Sequence, residues 1–130
     1  MRYLLDTHIA LWATYRSRKL SAAARTILAA EGIEAYVSAA SLWEIAVKNA
    51  AQRGELPPVA EAIANFEKAG FRELPVTSRA MAFFEKLPML HKDPFDRMLV
   101  SQASAEGLTL LTADEKVGAY DATGAFVTVV

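Results

Sequence analysis

Tyr3-Leu4-Leu5-Asp6-Thr7-His8 is a short apolar run that stops on an acid, a hydroxyl and an imidazole, and Leu108-Thr109-Leu110-Leu111-Thr112-Ala113-Asp114 repeats the pattern late in the chain. Runs of this length without polar interruption are expected of strands buried on both faces, each emptying into a loop or helix. Working outward, residues 33–38 read as a second strand through Ala35, Tyr36 and Val37, and 126–130 as a final β-branched one. Residues 71–76 are a weaker strand whose Pro75 suits an edge position. Helical patterns lie between the strands. Ser21 caps one that Gly32 closes, and Ser41 opens another that runs to about Arg53 and ends at Gly54. Pro57-Pro58 introduces a third to Ala69, and Thr77 or Ser78 a fourth to about Leu87. Asp93-Pro94 starts a fifth, with Asp93 as N-cap, that ends before Gly107, and Asp114 begins a short piece through Tyr120. The stretch holding Leu11 and Trp12 carries no assignment, and Tyr15 to Lys19 is a loop that gathers Arg16, Arg18 and Lys19. Strands alternating with helices predict an α/β fold, a parallel sheet covered on both faces by right-handed crossovers.

Bulk properties narrow the class. The 130 residues, 53% hydrophobic and 22% charged, suit one domain over residues 1–130 with one core. Cysteine is absent, which excludes disulfides, thiolate zinc sites and cysteine nucleophiles and fits a reducing compartment, the cytoplasm by default. An acid arrives at Asp6, too early for a signal peptide, and no apolar run approaches the roughly 18 residues that span a bilayer. The net charge of −1 argues at first sight against a nucleic-acid partner.

Asp6, Glu44, Asp96 and Asp114 modify that conclusion. In an open parallel sheet, ligands bind outside the carboxyl ends of the strands. Asp6 and Asp114 fall at or just beyond such ends, while Glu44 and Asp96 fall in first turns of helices that start from the same rim, so the four converge. Each also has a plain structural reading. Ser41-Leu42-Trp43-Glu44 has the spacing of a capping box. Asp96 at the third helical position favours the helix dipole, Asp114 can cap the piece after it, and Asp6 can be a turn residue. Together, however, four close carboxylates repel one another and either take up protons or recruit cations. With oxygen donors and no thiolate, the cation expected is magnesium or manganese, which serves phosphodiester hydrolysis. Without those four, eleven acids face fourteen basic residues, a formal +3 suited to a polyanion. Thr7 and Thr112 can orient the carboxylates by hydroxyl bonds, His91 fits a structural or outer role, and Arg97 either meets a phosphate or is solvated. Lys48, four residues after Glu44, reads as an exposed helical ion pair.

Leu4-Leu5-Asp6-Thr7-His8, Ser41-Leu42-Trp43-Glu44-Ile45, His91-Lys92-Asp93-Pro94-Phe95-Asp96-Arg97-Met98-Leu99-Val100 and Leu110-Leu111-Thr112-Ala113-Asp114, in this order, resemble the PIN-domain ribonucleases, and among them the VapC-type toxins of type II toxin–antitoxin pairs. The resemblance spans essentially the whole chain, and the segment around Asp93-Pro94-Phe95-Asp96-Arg97 is its most specific part. It implies a three-layer α/β/α sandwich around a parallel five-stranded sheet, with Asp6, Glu44, Asp96 and Asp114 as catalytic acids that bind magnesium or manganese. Asp6 and Asp96 would be the principal ligands, Asp114 would serve a second, weaker ion or act through water, and Glu44 would help hold the pair or activate water. The implied activity is endonucleolytic cleavage of RNA, transfer or ribosomal, which inhibits translation. The implied partners are a second copy of the chain and a small cognate antitoxin, through which alone DNA is bound, and no membrane. Trp43 and Val47, with Val59 and Ile63, are candidates for the antitoxin groove as well as for ordinary core.

Two rivals stay open. A phosphatase of the haloacid-dehalogenase type would phosphorylate Asp6, although such enzymes usually carry a second aspartate two positions on, where this chain has His8. A non-catalytic binding module that kept the PIN-like fold is the other.

Overall fold

The computed structural model describes residues 1–52 and 55–130. The elements run β1 (Arg2–Leu5), α1 (Thr7–Thr14), α2 (Ala22–Ala29), β2 (Glu34–Ser38), α3 (Ala39–Ala50), α4 (Val59–Lys68), β3 (Arg72–Leu74), α5 (Ser78–Lys86), α6 (Pro94–Glu106), β4 (Thr109–Thr112), α7 (Glu115–Gly118), a 3-10 turn (Ala119–Thr123) and β5 (Val127–Val129). Every strand pair is parallel, and the sheet order is β3-β2-β1-β4-β5. β3 lies at an edge as expected but stops at Leu74, so Pro75, expected inside the strand, follows it and ends the pairing.

Side-chain alternation assigns the two faces. Tyr3, Leu5, Ala35, Val37 and Leu111 pack with Ile9, Leu11, Ala24, Ala62 and Phe66, so α1, α2 and α4 cover one face. Leu4, Leu110 and Val127 point the other way, into Leu99, Val100, Ala103, Val117 and Tyr120 of α6, α7 and the turn after it. Helices on both faces of a five-stranded parallel sheet are the three-layer sandwich expected from the sequence. The chain leaves β1 toward β2 on one side and returns to β4 on the other, so the order reverses between β1 and β4. A crevice opens at the carboxyl ends of strands at such a point, and Asp6 and Asp114 follow those two strands.

Two local expectations change. The unassigned stretch after Asp6 is α1, and Asp6 is its N-cap, with Oδ1 accepting from the Ile9 N–H at 2.8 Å. Helix α3 begins at Ala39, with Ser38 as its N-cap, so Ser41 and Glu44 lie inside the helix and form no capping box. Ser38 wins the cap because its hydroxyl is in reach of both the Ala40 N–H (2.9 Å) and the buried Gln102 of α6. α3 ends at Ala50, and the expected stop at Arg53 and Gly54 lies outside the described residues. Gly107 ends α6 in the left-handed region, at φ 67°.

Ser38 Oγ donates to Gln102 Oε1 at 2.5 Å, and Gln102 Nε2 donates to the Pro75 carbonyl, which stitches β2, α6 and the segment after β3 together. Ser38→Ala removes the cap and leaves a buried acceptor without its donor. It should therefore lower unfolding free energy by about 2 kcal/mol. Urea denaturation measures this, and a loss within error of zero would contradict the assigned role.

Candidate metal centre

Thr112, fully buried at the end of β4, sets the geometry between the two central strands. Its hydroxyl donates a short bond to Asp6 Oδ2 and accepts from the Asp114 N–H at 3.1 Å. Both Asp6 oxygens thus have a donor, Ile9 N–H on one and Thr112 on the other, and each keeps a free lone pair. Burial raises the Asp6 pKa, and those two hydrogen bonds work against the rise.

Asp96 sits at the third position of α6, behind the Asp93 cap and Pro94. Burial, followed by the charges of Asp93, Asp6 and Glu44, pushes its pKa up to about 7, with His91 pulling the other way. Asp6 and Glu44, far from Asp96 in sequence, thus act on it together with its neighbour Asp93. His91 Nε2 lies 3.1 Å from Asp114 Oδ2 and 3.4 Å from Asp96 Oδ2. Burial raises the Asp114 carboxyl, but the His91 bond and the Lys116 N–H outweigh it and hold the pKa below its usual value. Asp114 caps α7 through that Lys116 contact, as its position in sequence suggests.

His91 Nδ1 accepts from the Asp93 N–H at 2.9 Å, so in this arrangement its proton is on Nε2. A single N–H therefore points at two carboxylates where a cation would otherwise stand. Ligand atoms of His91, Asp96 and Asp114 lie within 4.8 Å of one another. Nε2 could coordinate an ion only by moving the proton to Nδ1 and losing Asp93. The donor set that remains is oxygen: Asp96 and Asp114, with Asp6 across Thr112. Such a set suits a hard divalent cation, and burial first, then the neighbouring carboxylates, account for the raised proton affinity of Asp96.

Glu44 is 3% exposed and faces the same rim from α3. Thr7 Oγ1 donates to its Oε1 at 2.7 Å, and Lys48 Nζ contacts Oε2 at 2.5 Å. Thr7 has spent its one proton on Glu44, so Ser41, 2.8 Å away, supplies the proton between the two hydroxyls. The Glu44–Lys48 pair is thus buried on the acid's side, not the exposed pair expected from spacing.

Arg97 turns away from the rim. It is buried, stacks over Phe84 at 4.6 Å, and donates from Nη2 to the Leu87 carbonyl and from Nε to Tyr120 Oη. It therefore offers no phosphate contact in this conformation, and instead supports the loop that carries His91. The sequence reading missed its partner. The fully buried Tyr120 hydroxyl donates to Pro88 O at 2.8 Å and takes the Leu90 and His91 N–H groups at 3.2 and 3.3 Å. A tyrosine at the end of a short helical piece gives no such signal in sequence, since its partners come from residues about thirty positions earlier.

The raised Asp96 value has a defined consequence for stability. The unfolded carboxyl titrates near 3.8 and the folded one at about 7, so between those values the folded protein keeps a proton that the unfolded chain loses. Stability therefore falls as pH rises across that window. Asp96→Asn should reduce the fall, leaving the part that the raised Asp6 carboxyl contributes. In EDTA it should be more stable than the wild type near pH 8, by on the order of 2 kcal/mol, with the gap closing near pH 4. Urea titrations at both pH values test this, and equal stabilities near pH 8 would count against the buried charge cluster.

No curated protein matches the chain by sequence. Several solved structures share its fold. A chain of VapBC2 from Rickettsia felis, determined bound to a DNA fragment from its promoter, superposes with a TM-score of 0.70 at 16% identity, covering 99% of this chain and 98% of that one. VapBC-1 from nontypeable Haemophilus influenzae gives 0.67 at 17% identity, with the same 99% and 98% coverage. DNA-bound VapBC from Salmonella typhimurium gives 0.66 at 15%, again covering 99% and 98%. The family model for the PIN domain matches residues 3–122, a span that contains all four rim acids together with Thr112, His91 and Tyr120, and on that match the chain belongs to the PIN domain family.

Proposed function

We propose that this protein is a VapC-type toxin, a divalent-metal-dependent endoribonuclease that cleaves transfer or ribosomal RNA and so inhibits translation. The observation that carries the reading is the convergence of carboxylates at the switch point between β1 and β4, where ligand atoms of Asp96 and Asp114 lie within 4.8 Å of each other and Thr112 ties Asp6 to Asp114. Asp6, Asp96 and Asp114 would hold magnesium or manganese, with Glu44 beside them. When bound, the cation supplies charge neutralisation at a phosphoryl oxygen and acidifies a water.

The chain's own groups divide the remaining work. Thr112 fixes Asp6 against Asp114, and His91 keeps Asp114 oriented through Nε2–H. Glu44 is held by Thr7 on one oxygen and by half-exposed Lys48 on the other. The Lys48-bound oxygen can exchange partners, which suits Glu44 to accept a proton from the attacking water. A phosphoaspartate mechanism at Asp6 is less well served, because both of its oxygens are engaged by donors from fixed structure.

The partner reading follows the same lines. Solved relatives of the fold are VapBC and FitAB assemblies, some on DNA. Trp43, Val47 and Ile63 are 64%, 40% and 36% exposed, which supports an antitoxin groove along α3 and α4, whereas Val59 is half-buried. We assign the chain a single domain over residues 1–130, a homodimeric state and a cytoplasmic location, with DNA reached only through the antitoxin. Among the described residues no helix is long and apolar enough to cross a membrane.

Asp6→Asn and Asp96→Asn should each reduce RNA cleavage at least about a hundredfold while leaving the circular dichroism spectrum unchanged, and EDTA should do the same to the wild type. Manganese at ten times its dissociation constant should stabilise the wild type by about 1.4 kcal/mol, and Asp96→Asn by much less. Mapped RNA ends that persist in either variant, or a melting curve indifferent to manganese, would refute the mechanism.

A further inference from the structure

We propose that the face of α1 bearing His8, Trp12 and Tyr15 is a stacking track for bases of a single-stranded RNA as the strand leaves the acid cluster. The proposal rests on the ribonuclease reading and names the part of the surface that would hold the substrate. The three rings stand at i, i+4 and i+7, so they share one side of the helix. Asp6 and Asp114 line a cavity together with His8 and Trp12. The same two rings line a second groove that continues past Tyr15 to Lys19. The cavity at the acid cluster and the groove along the aromatic face therefore share His8 and Trp12.

The rings are available and held in place. His8 is exposed, Trp12 half-buried, and Tyr15 43% exposed. The His8 and Trp12 centroids are 5.6 Å apart with planes tilted by 39°, and Trp12 rests part of its surface on the core that holds Ile9 and Leu11. Tyr15 is pinned through its hydroxyl, which donates to Glu61 at 2.6 Å and accepts from Asn65 Nδ2 at 3.0 Å. From the first ring to the third, α1 rises roughly 10 Å, about the height of three stacked bases. The far end is cationic, with Lys19 in the groove and Arg18 exposed beside it. Glu55 and Glu61 also line the groove; the Glu61 carboxylate is engaged by Tyr15, and exposed Glu55 offsets one of the two basic groups. Aromatic faces in series with basic groups at the exit are how proteins hold single strands without reading sequence, whereas a duplex keeps its bases inside.

The chain has two tryptophans, so Trp43→Phe leaves Trp12 as the only indole. In that background, with Asp96→Asn to keep the probe intact, a single-stranded RNA of about twelve nucleotides should quench Trp12 emission saturably, and the matching duplex should not. His8→Ala and Trp12→Ala should each weaken binding about tenfold by fluorescence anisotropy, and Trp12→Phe should restore most of it. With Asp96 restored, Trp12→Ala should raise KM about tenfold and leave kcat nearly unchanged. If Trp12→Ala fails to fold, His8→Ala and the quenching decide. Anisotropy showing RNA bound while Trp12 emission stays constant, or His8→Ala binding as tightly as its parent, would overturn the track. So would quenching by an antitoxin peptide but not by RNA. A wild type that neither binds nor cleaves the oligonucleotide with manganese present would instead remove the ribonuclease reading on which the track depends.

Discussion

Like charge held out of water is the constraint around which the rest of this molecule is arranged. Asp6 and Glu44 are almost wholly buried and Asp96 mostly so, and such groups repel while losing hydration. The fold meets the cost locally. Asp6 takes an α1 N–H and the Thr112 hydroxyl, Glu44 takes Thr7 and Lys48, and Asp114 takes His91 and an α7 N–H. Asp96 has only a longer His91 contact, and burial together with its acidic neighbours pushes its carboxyl up to about 7. The one unrelieved acid is also the one placed where Asp6 and Glu44 can both act on it.

The sheet explains why these groups meet at all. Order reverses between β1 and β4, so the helices that follow these strands diverge to opposite faces and leave their N-termini around a common opening. Helix N-termini tolerate carboxylates, since orphan N–H groups and the dipole favour negative charge there. Capping and chemistry are consequently not alternatives here. Asp6 and Asp114 cap α1 and α7 with one oxygen each, while the other oxygen meets Thr112 and His91 respectively.

A second layer keeps His91 in register. Tyr120 and Arg97 grip the backbone from Leu87 to His91, and Asp93 fixes the imidazole tautomer from the other side. Arg97 illustrates how position misleads: adjacency to Asp96 suggests a phosphate contact, yet one step along a helix rotates the side chain about 100° and aims it into the core. Glu44 misled in the opposite sense. Its spacing from Ser41 matched a capping box, but the competing cap at Ser38 had a buried partner in Gln102, and tertiary contact overrode local pattern.

The sequence by itself determined the alternation of strands and helices, the edge placement of the strand before Pro75 and the Asp93-Pro94 helix start. These are legible because apolar period, proline, glycine and capping residues act within a few positions of one another. Only the tertiary structure decided that α1 starts on Asp6, that Glu44 lies within a helix against Thr7, and that Tyr120 organises a loop about thirty residues before it. It also decided that Asp96 is the acid without a donor of its own. Each depends on which groups from distant segments come within hydrogen-bond reach in a low-dielectric rim, and separation along the chain carries no record of that distance.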